Sequence, residues 1–392
     1  MRKYVKGLQF RTPSMILESL HLLFFKNYNE ANLRLSPRIN CFVGDNGSGK
    51  TNLLDAIHYL SLTKSAFATA DALSIKQNEE FFVVKGRFSN NLLPGNQVDV
   101  TPSHETIQVS LRAGQKKAVT HDKQAYERIS DHIGRYPAVL ISPYDTDLIR
   151  QGSEERRKYF DSLMSQLDHD YLELLIAYNH VLRQRNSLLK LAAERTGGYD
   201  RDYLLVLDEQ LTPLGVKIVE ARQQFLAKFI PIFQRHYQQL ADGREAVMLA
   251  YKSHLLETDF AKLLRVQERK DLTLQRTTAG PHRDDFAFLM DELPVKSYGS
   301  QGQQKSYVIA LKLAQFEILA SSKQHKPLLL LDDIFDRLDE KRITRLLQLV
   351  ADHTFGQVFL TDTHLDRTDR ALAPLAENIL RFRVENGTVT AL

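Results

Sequence analysis

The hydrophobic pattern divides the chain into three stretches. From Met15, "MILESLHLLFFKNY" and "ANLRLSPRINCFV" alternate apolar and polar positions, which predicts strands. The second ends in a mostly apolar stretch, Ile39 to Val43, that predicts a buried strand before the glycine loop. "TNLLDAIHYLSLT" follows with Leu53, Leu54, Ile57 and Leu60 at helical spacing, and "FFVVKGRFS", "TIQVSLRAG" and "AVLISP" return to strand. From about Glu154 the period changes. Apolar residues recur every three or four positions through "EERRKYFDSLMSQLDHDYLELLIAYNHVLRQRNSLLKLAAERT" and, after a break at "GGYD", through "LLVLDEQLTPLGVKIVEARQQFLAKFIPIFQRHYQQL". Two long helical hairpins are expected there. Near Leu272 short strands resume, and the chain closes with "KPLLLLDD", a helix, "GQVFLTDTH" and a hairpin at Asn386-Gly387. The fold class expected is α/β: a mixed sheet with flanking helices, interrupted by a mainly helical second domain. The boundaries expected are a tail at 1–14, a first head part at 15–150, a helical insertion at 151–268 and a second head part at 269–392.

Composition narrows the class. Of 392 residues, 43% are hydrophobic and 26% charged, the balance of a chain that folds. No apolar run approaches the roughly 20 residues that span a bilayer, and "MRKYVKGLQFRTPS" lacks the apolar core of a secretory signal. The single cysteine, Cys41, excludes an internal disulfide and a cysteine-based zinc site, and core packing is its ordinary use. A reducing, cytoplasmic location is expected. A net charge of +4 and a pI near 8.9 permit a nucleic-acid partner without demanding one.

Candidate chemistry begins at "VGDNGSGKTN". Gly44-x4-Gly49-Lys50-Thr51 fits the P-loop pattern and lies between a predicted strand and a predicted helix, as that motif requires. Backbone N–H groups from Gly44 through Asn52, among them those of Asp45, Asn46, Gly47 and Ser48, would cradle phosphates at the helix N-terminus. Lys50 would reach the β- and γ-phosphates, and the Thr51 hydroxyl would ligate Mg²⁺. ATP and Mg²⁺ are therefore the expected cofactors.

A P-loop needs a second strand beside it that carries a carboxylate. "LLLLDD" supplies a buried strand with Asp332 and Asp333 at its C-terminal end, where adjacent carboxylates are costly without a compensating cation. Asp332 would hold Mg²⁺ through water, and Asp333 would orient or activate the attacking water. Upstream, "SYGSQGQQKS" opens a well-patterned helix, so Ser300, Gly302 and that helix start make another anion site. Two phosphate-binding helix starts and one nucleotide suggest two copies of the chain sharing two nucleotides.

The order of P-loop, "SQGQQ", "LLLLDD", "DRLD" and "FLTDTH" resembles an ABC-type P-loop ATPase head of the SMC kind. Within that group the chain is most similar to the RecF family, through "SPYDTDLIRQGSEERRKYFD", "LRQRNSLLK", "TTAGPHRDDFAF" and "SYGSQGQQK", a likeness that runs from Met15 to the C-terminus. The resemblance implies a slow, DNA-stimulated ATPase that dimerises on ATP, binds double-stranded or gapped DNA, and helps place the RecA recombinase with partners RecR and RecO. It implies that Ser300, Gln301, Gly302 and Gln303 form the signature turn acting in trans, and that Asp339 lies in the loop linking the two sites. Thr361 or His364 would sense the γ-phosphate. The family's usual start falls at Met15, and Asp336-Arg337 departs from the family's pattern before "LD". Tyr28 is a candidate for stacking on the base.

DNA contacts are expected at Arg156, Arg157, Arg183 and Arg185, with Lys158 and the hairpin pair Lys116-Lys117 nearby. Arg283, between a turn and two acids, reads equally as an ion pair. No base-reading motif is visible, so binding would follow the phosphate backbone and weaken with salt. Three other classes compete. The acids at 332 and 333 argue against a nucleotide-binding protein without turnover, and the absence of "LSGGQ" argues against a transporter subunit. An SMC-like ATPase of another repair or defence role is the alternative.

Overall fold

Strands form where short apolar or alternating runs are bounded by turn residues, as at Ile39–Val43 and Leu328–Leu331. The computed structural model describes residues 14–91, 103–194, 199–241, 245–323, 325–334, 355–373 and 378–392. It divides into two compact units, one formed by 1–145 with 315–392 and the other by 146–314. The expected insertion, 151–268, lies inside the second unit, which runs on through the "GPHRDD" and "SQGQQ" segments.

The first unit holds two sheets. One is antiparallel, in the order β2 (Glu30–Arg34), β1 (Ser14–Leu23), β4 (Phe81–Asn91), β5 (His104–Arg112), β6 (Ala118–His121), β7 (Gln124–Ala125). The other runs β15 (Thr388–Ala391), β14 (Ile379–Glu385), β3 (Ile39–Val43), β13 (Val358–Asp362), β12 (Leu328–Leu331), β8 (Ala138–Ile141). All neighbours in it are parallel except the closing β14–β15 hairpin. That hairpin turns at Asn386 and Gly387, whose φ values of 48° and 77° are those of the expected Asn-Gly turn. Strands β3, β13, β12 and β8 are buried at every position, as parallel strands covered on both faces must be.

Helix α1 (Lys50–Leu62) packs between the two sheets, and its core neighbours come from both. Its spacing predicts one apolar face, yet it is buried almost all round, Asp55 and Ser61 included. Asp55 is tolerated because Lys26 pairs with it at 2.6 Å while Ser65 Oγ and the Ala66 N–H donate to it.

The second unit carries α2 (Asp147–Arg150), α3 (Ser153–Leu167), α4 (His169–Glu194), α5 (Arg201–Leu240) and α6 (Phe260–Leu274). A three-stranded antiparallel sheet follows, β11 (Leu293–Pro294), β10 (Asp285–Met290), β9 (Val247–Lys252), with α7 (Val295–Tyr298) and the start of α8 (Gln301–Ser322). Leu182, Leu207, Leu211 and Ile218 bury the α4–α5 contact, and Phe260 and Leu264 add α6 to it. Gly215 lets α6 approach, since a Cβ there would sit 2.4 Å from the Phe260 ring. Helix α9 (Leu365–Leu372) belongs to the first unit, with its cap at His364.

Candidate active site

The loop between β3 and α1 is shaped by what crowds it. At Gly49, with φ 118°, a Cβ would meet Asn27 Nδ2 at 2.5 Å and Tyr28 Oη at 2.8 Å, and at Gly44 it would meet Val384 O at 2.1 Å. Both glycines are thus required by close neighbours before any ligand is considered. Asn27 and Tyr28, from the β1–β2 turn, brace the loop. Asn27 Nδ2 donates to Ser48 O at 3.0 Å, Asn52 Nδ2 donates to Asn27 Oδ1 at 2.8 Å, and Tyr28 Oη donates to Gly49 O at 2.9 Å. The Gly387 N–H reaches Ser48 O at 3.1 Å from the closing hairpin. Tyr28 is fully buried, which corrects the expectation that it stacks on a base.

Inside this brace the Lys50 Nζ donates to Gly44 O at 2.6 Å and to Asp45 O at 2.8 Å, so the cation lies under the loop it is meant to serve. Burial lowers its ammonium below the ordinary lysine value, opposed by the carboxylates of Asp333 and Asp332. The Ser48 hydroxyl is buried and makes no hydrogen bond among the described residues. A Cβ at Gly47 would touch nothing within 4 Å, which leaves room above the loop.

The acidic strand does not lie beside the P-loop strand as expected, because β13 runs between β3 and β12. Its Thr361 closes the gap. Thr51 Oγ1 donates to both oxygens of Asp332, at 2.9 and 3.0 Å, and Thr361 Oγ1 donates to Asp332 Oδ1 at 2.8 Å. Thr361 Oγ1 also accepts from the Asp333 N–H at 2.9 Å. Asp332 is 3% exposed, and burial raises its carboxyl above the ordinary range against the pull of the two hydroxyls. Asp333 sits at φ 47°, a left-handed turn that ends the strand's direction. Of the two residues expected to sense a phosphate, Thr361 is buried on the acids and His364 is exposed at the start of α9. Asp339 lies outside the described residues, as do Asp336 and Arg337.

In the second unit Ser300 and Gln301 are exposed at the start of α8. Ser300 Oγ accepts from the Gln303 N–H at 3.2 Å while Gln303 Oε1 accepts from the Ser300 N–H at 2.7 Å, a closed capping box around Gly302.

The expected DNA contacts fare differently. Arg185 is fully buried, its Nε 2.6 Å from Asp208 and its Nη1 2.7 Å from Asp271 and 3.0 Å from Thr277 Oγ1. This corrects its assignment to DNA: the guanidinium ties α4, α5 and α6 together. Arg156 makes a two-pronged pair with Asp285, at 2.8 and 3.1 Å, and Arg157 donates to Ser153 Oγ and Asp284 O. Both are half-buried and engaged within the unit. Lys117 is held by Asp71, Lys158 by Glu154 and Glu155, and Arg283 donates to Thr277 O. Arg183 is exposed, its Nε on Asn179 O.

The centre of the second unit is a residue that no motif flagged. Arg222, on α5, is buried with Nη2 at 2.9 Å from both oxygens of Asp161 and Nη1 at 3.0 Å from Asp284 and 2.9 Å from Pro281 O. His282 is neutral, lowered to about 4 by burial, between Tyr178 Oη and Thr277 O. "RRKYFD", "RQRN" and "GPHRDD" therefore converge on one buried polar knot. Sequence offered no sign of Arg222, since its partners lie 61 and 62 positions away.

A braced P-loop, an acidic strand end joined to it through a threonine, and a glycine-containing turn capping a helix define an ABC-type ATPase head. The sequence matches the family described as RecF/RecN/SMC N terminal domain over residues 16–388. It is similar to the DNA replication and repair protein RecF of Flavobacterium johnsoniae, 48% identical over 356 residues, 91% of this chain and 96% of that one. The RecF of Cytophaga hutchinsonii is 44% identical over 375 residues, 96% of each chain. Among solved structures, the recombination mediator protein RecF with ATP in the RecFOR pathway superposes with a TM-score of 0.87 at 28% identity, over 98% of this chain and 100% of that one. The Smc head domain from Pyrococcus furiosus, at a TM-score of 0.54 and 17% identity over 96% of each chain, shares the fold. The chain belongs to the RecF family of DNA replication and repair proteins, ATPases of the ABC class. No helix among the described residues is long and apolar enough to cross a membrane.

Proposed function

We propose that the chain is an ATP-dependent, DNA-binding recombination mediator that dimerises on ATP, hydrolyses it slowly under DNA stimulation, and helps load RecA at gapped DNA with RecR and RecO. The observation that carries the reading is the Thr51–Asp332 contact beneath a loop whose Ser48 hydroxyl is buried without a hydrogen-bond partner among the described residues. Hydroxyl and carboxylate are the hard oxygen donors that Mg²⁺ takes, and the orphaned hydroxyl and open glycine suit a phosphate. ATP with Mg²⁺, when bound, supplies the phosphoanhydride bond that is cut. Lys50 would leave the carbonyls of Gly44 and Asp45 for the β- and γ-phosphates, and Thr51 and Asp332 would hold the metal. Asp333, held by Thr361 through its backbone, would orient water. Exposed His364 suits γ-phosphate sensing better than Thr361, whose hydroxyl is taken by the acids.

For DNA the reading shifts to α6. Lys262, Arg265, Arg269 and Lys270 are exposed there and have no ion-pair partner among the described residues, and exposed Arg183 lies on α4, which packs on α6. Such a strip suits phosphates and carries no base code.

The test is complementation. Ser300→Arg protein should bind ATP without dimerising or hydrolysing it, and Lys50→Met protein should fail at nucleotide binding. Mixed, they should recover activity, because a hybrid dimer keeps one site with Lys50 from one chain and Ser300 from the other. Loss of ATP binding in the Ser300→Arg monomer would mean that the turn acts within its own chain.

A further inference from the structure

The capping box that shapes the turn before α8 does not stand alone. Gln303 Nε2 donates to Glu245 Oε1 at 2.9 Å, and Glu245 lies 58 positions upstream, just before β9. Its neighbour Ala246 is fixed on both sides by Asp291, whose Oδ1 accepts from the Ala246 N–H at 2.9 Å and whose N–H donates to Ala246 O at 2.8 Å. The carboxylate is therefore anchored to a sheet corner rather than to a free loop.

A glutamine side chain can close a capping box in one orientation only, with its carbonyl toward the N-cap N–H. The backbone N–H of Ser300 can only donate, and the carboxylate of Glu245 can only accept, so together they leave the Gln303 amide a single way round.

We propose that Glu245 is a positioning residue for the Ser300–Gln303 turn: by fixing the Gln303 amide it holds the Ser300 hydroxyl and the first N–H groups of α8 in the geometry that meets a phosphate. This rests on the reading of that turn as part of a composite ATP site. Nothing in the site's own motif points to position 245, and the role is independent of which DNA the protein binds.

The experiment uses the full chain with Glu245→Ala, Gln303→Ala, the double variant, Glu245→Gln and, in parallel, Ser300→Ala. Three quantities are read: ATP affinity at protein concentrations too low for dimers, ATP-dependent dimerisation by light scattering, and hydrolysis at saturating ATP. Glu245→Ala should leave ATP affinity unchanged and lower dimerisation and hydrolysis about tenfold. The double variant should match Gln303→Ala, since both substitutions break one chain of contacts. Glu245→Gln, which still offers an acceptor, should stay within about threefold of wild type. Additive losses in the double variant, or hydrolysis unchanged in Glu245→Ala, overturn the proposal. If Ser300→Ala is itself silent, the reading of the turn falls instead. If Ser300→Ala is inactive while Glu245→Ala is normal, only the role of Glu245 falls. Should Glu245→Ala fail to fold, Glu245→Gln and Gln303→Ala decide: equal, large losses in both overturn the amide-orientation argument, and loss in Gln303→Ala alone supports it.

Discussion

Asn27 offers a direct measure of how far the nucleotide loop depends on a distant turn. Replacing it with alanine removes the bond from its Nδ2 to Ser48 O, at 3.0 Å, and the acceptor for Asn52 Nδ2, at 2.8 Å. Neither loss leaves a stranded buried group. Ser48 O keeps the Gly387 N–H at 3.1 Å, and Asn52 is partly exposed to water. The cost is therefore that of two ordinary hydrogen bonds without a desolvation penalty, about 1.5 kcal/mol in sum. If these bonds exist to hold the loop open for phosphate, that energy appears as weakened ATP binding, about tenfold. Titration of a fluorescent ATP analogue at sub-dimer protein concentration reads it directly, alongside the thermal midpoint. Tyr28→Phe is the companion: Gly49 O retains the N–H groups of Asn52 and Leu53, so the loss is one bond of about 1 kcal/mol and roughly fivefold in affinity. An Asn27→Ala protein that unfolds at lower temperature yet binds ATP within twofold of wild type would refute the reasoning, because the brace would then serve the fold and not the loop.

Two further outcomes follow from the charges. Asp332 has a folded-state pKa raised by burial, so it favours folding below its unfolded value and that contribution is lost as pH rises through the higher folded value. Asp332→Asn should accordingly raise the thermal midpoint of the nucleotide-free protein at neutral pH while abolishing Mg²⁺-dependent hydrolysis; a lowered midpoint would contradict the assigned cost of the buried carboxylate. On α6, Arg265→Glu with Arg269→Glu should weaken binding to all duplex sequences alike and flatten the plot of log affinity against log salt by about one unit per lost phosphate contact. An unchanged slope would move the DNA surface away from α6.

Most strands and the P-loop pattern were legible from residues close together along the chain. Those signals are local: four leucines bounded by Pro327 and two aspartates are too short for a helix and suit a covered strand, Gly44 to Thr51 carry their own spacing, and Asn386-Gly387 select their own turn. The helices were only partly legible: α5 runs unbroken from Arg201 to Leu240 where a second hairpin was expected, and α6 continues to Leu274 where strands were expected to resume. The sequence also sufficed for the family, because its motifs are short and ordered. Tertiary structure decided what each charged side chain does. Arg185 and Arg222 look like any cation on a helical face until the Asp208, Asp271, Asp161 and Asp284 carboxylates are brought to them. The same holds for Tyr28, which becomes a brace only when the β1–β2 turn lies against Gly49, and for Thr361, which matters because β13 runs between the P-loop strand and the acidic one. The physical reason is that backbone periodicity is set by neighbours a few residues away, whereas burial and ion pairing of a polar group depend on partners tens to hundreds of positions distant. A charge taken out of water is held only by what folding places beside it.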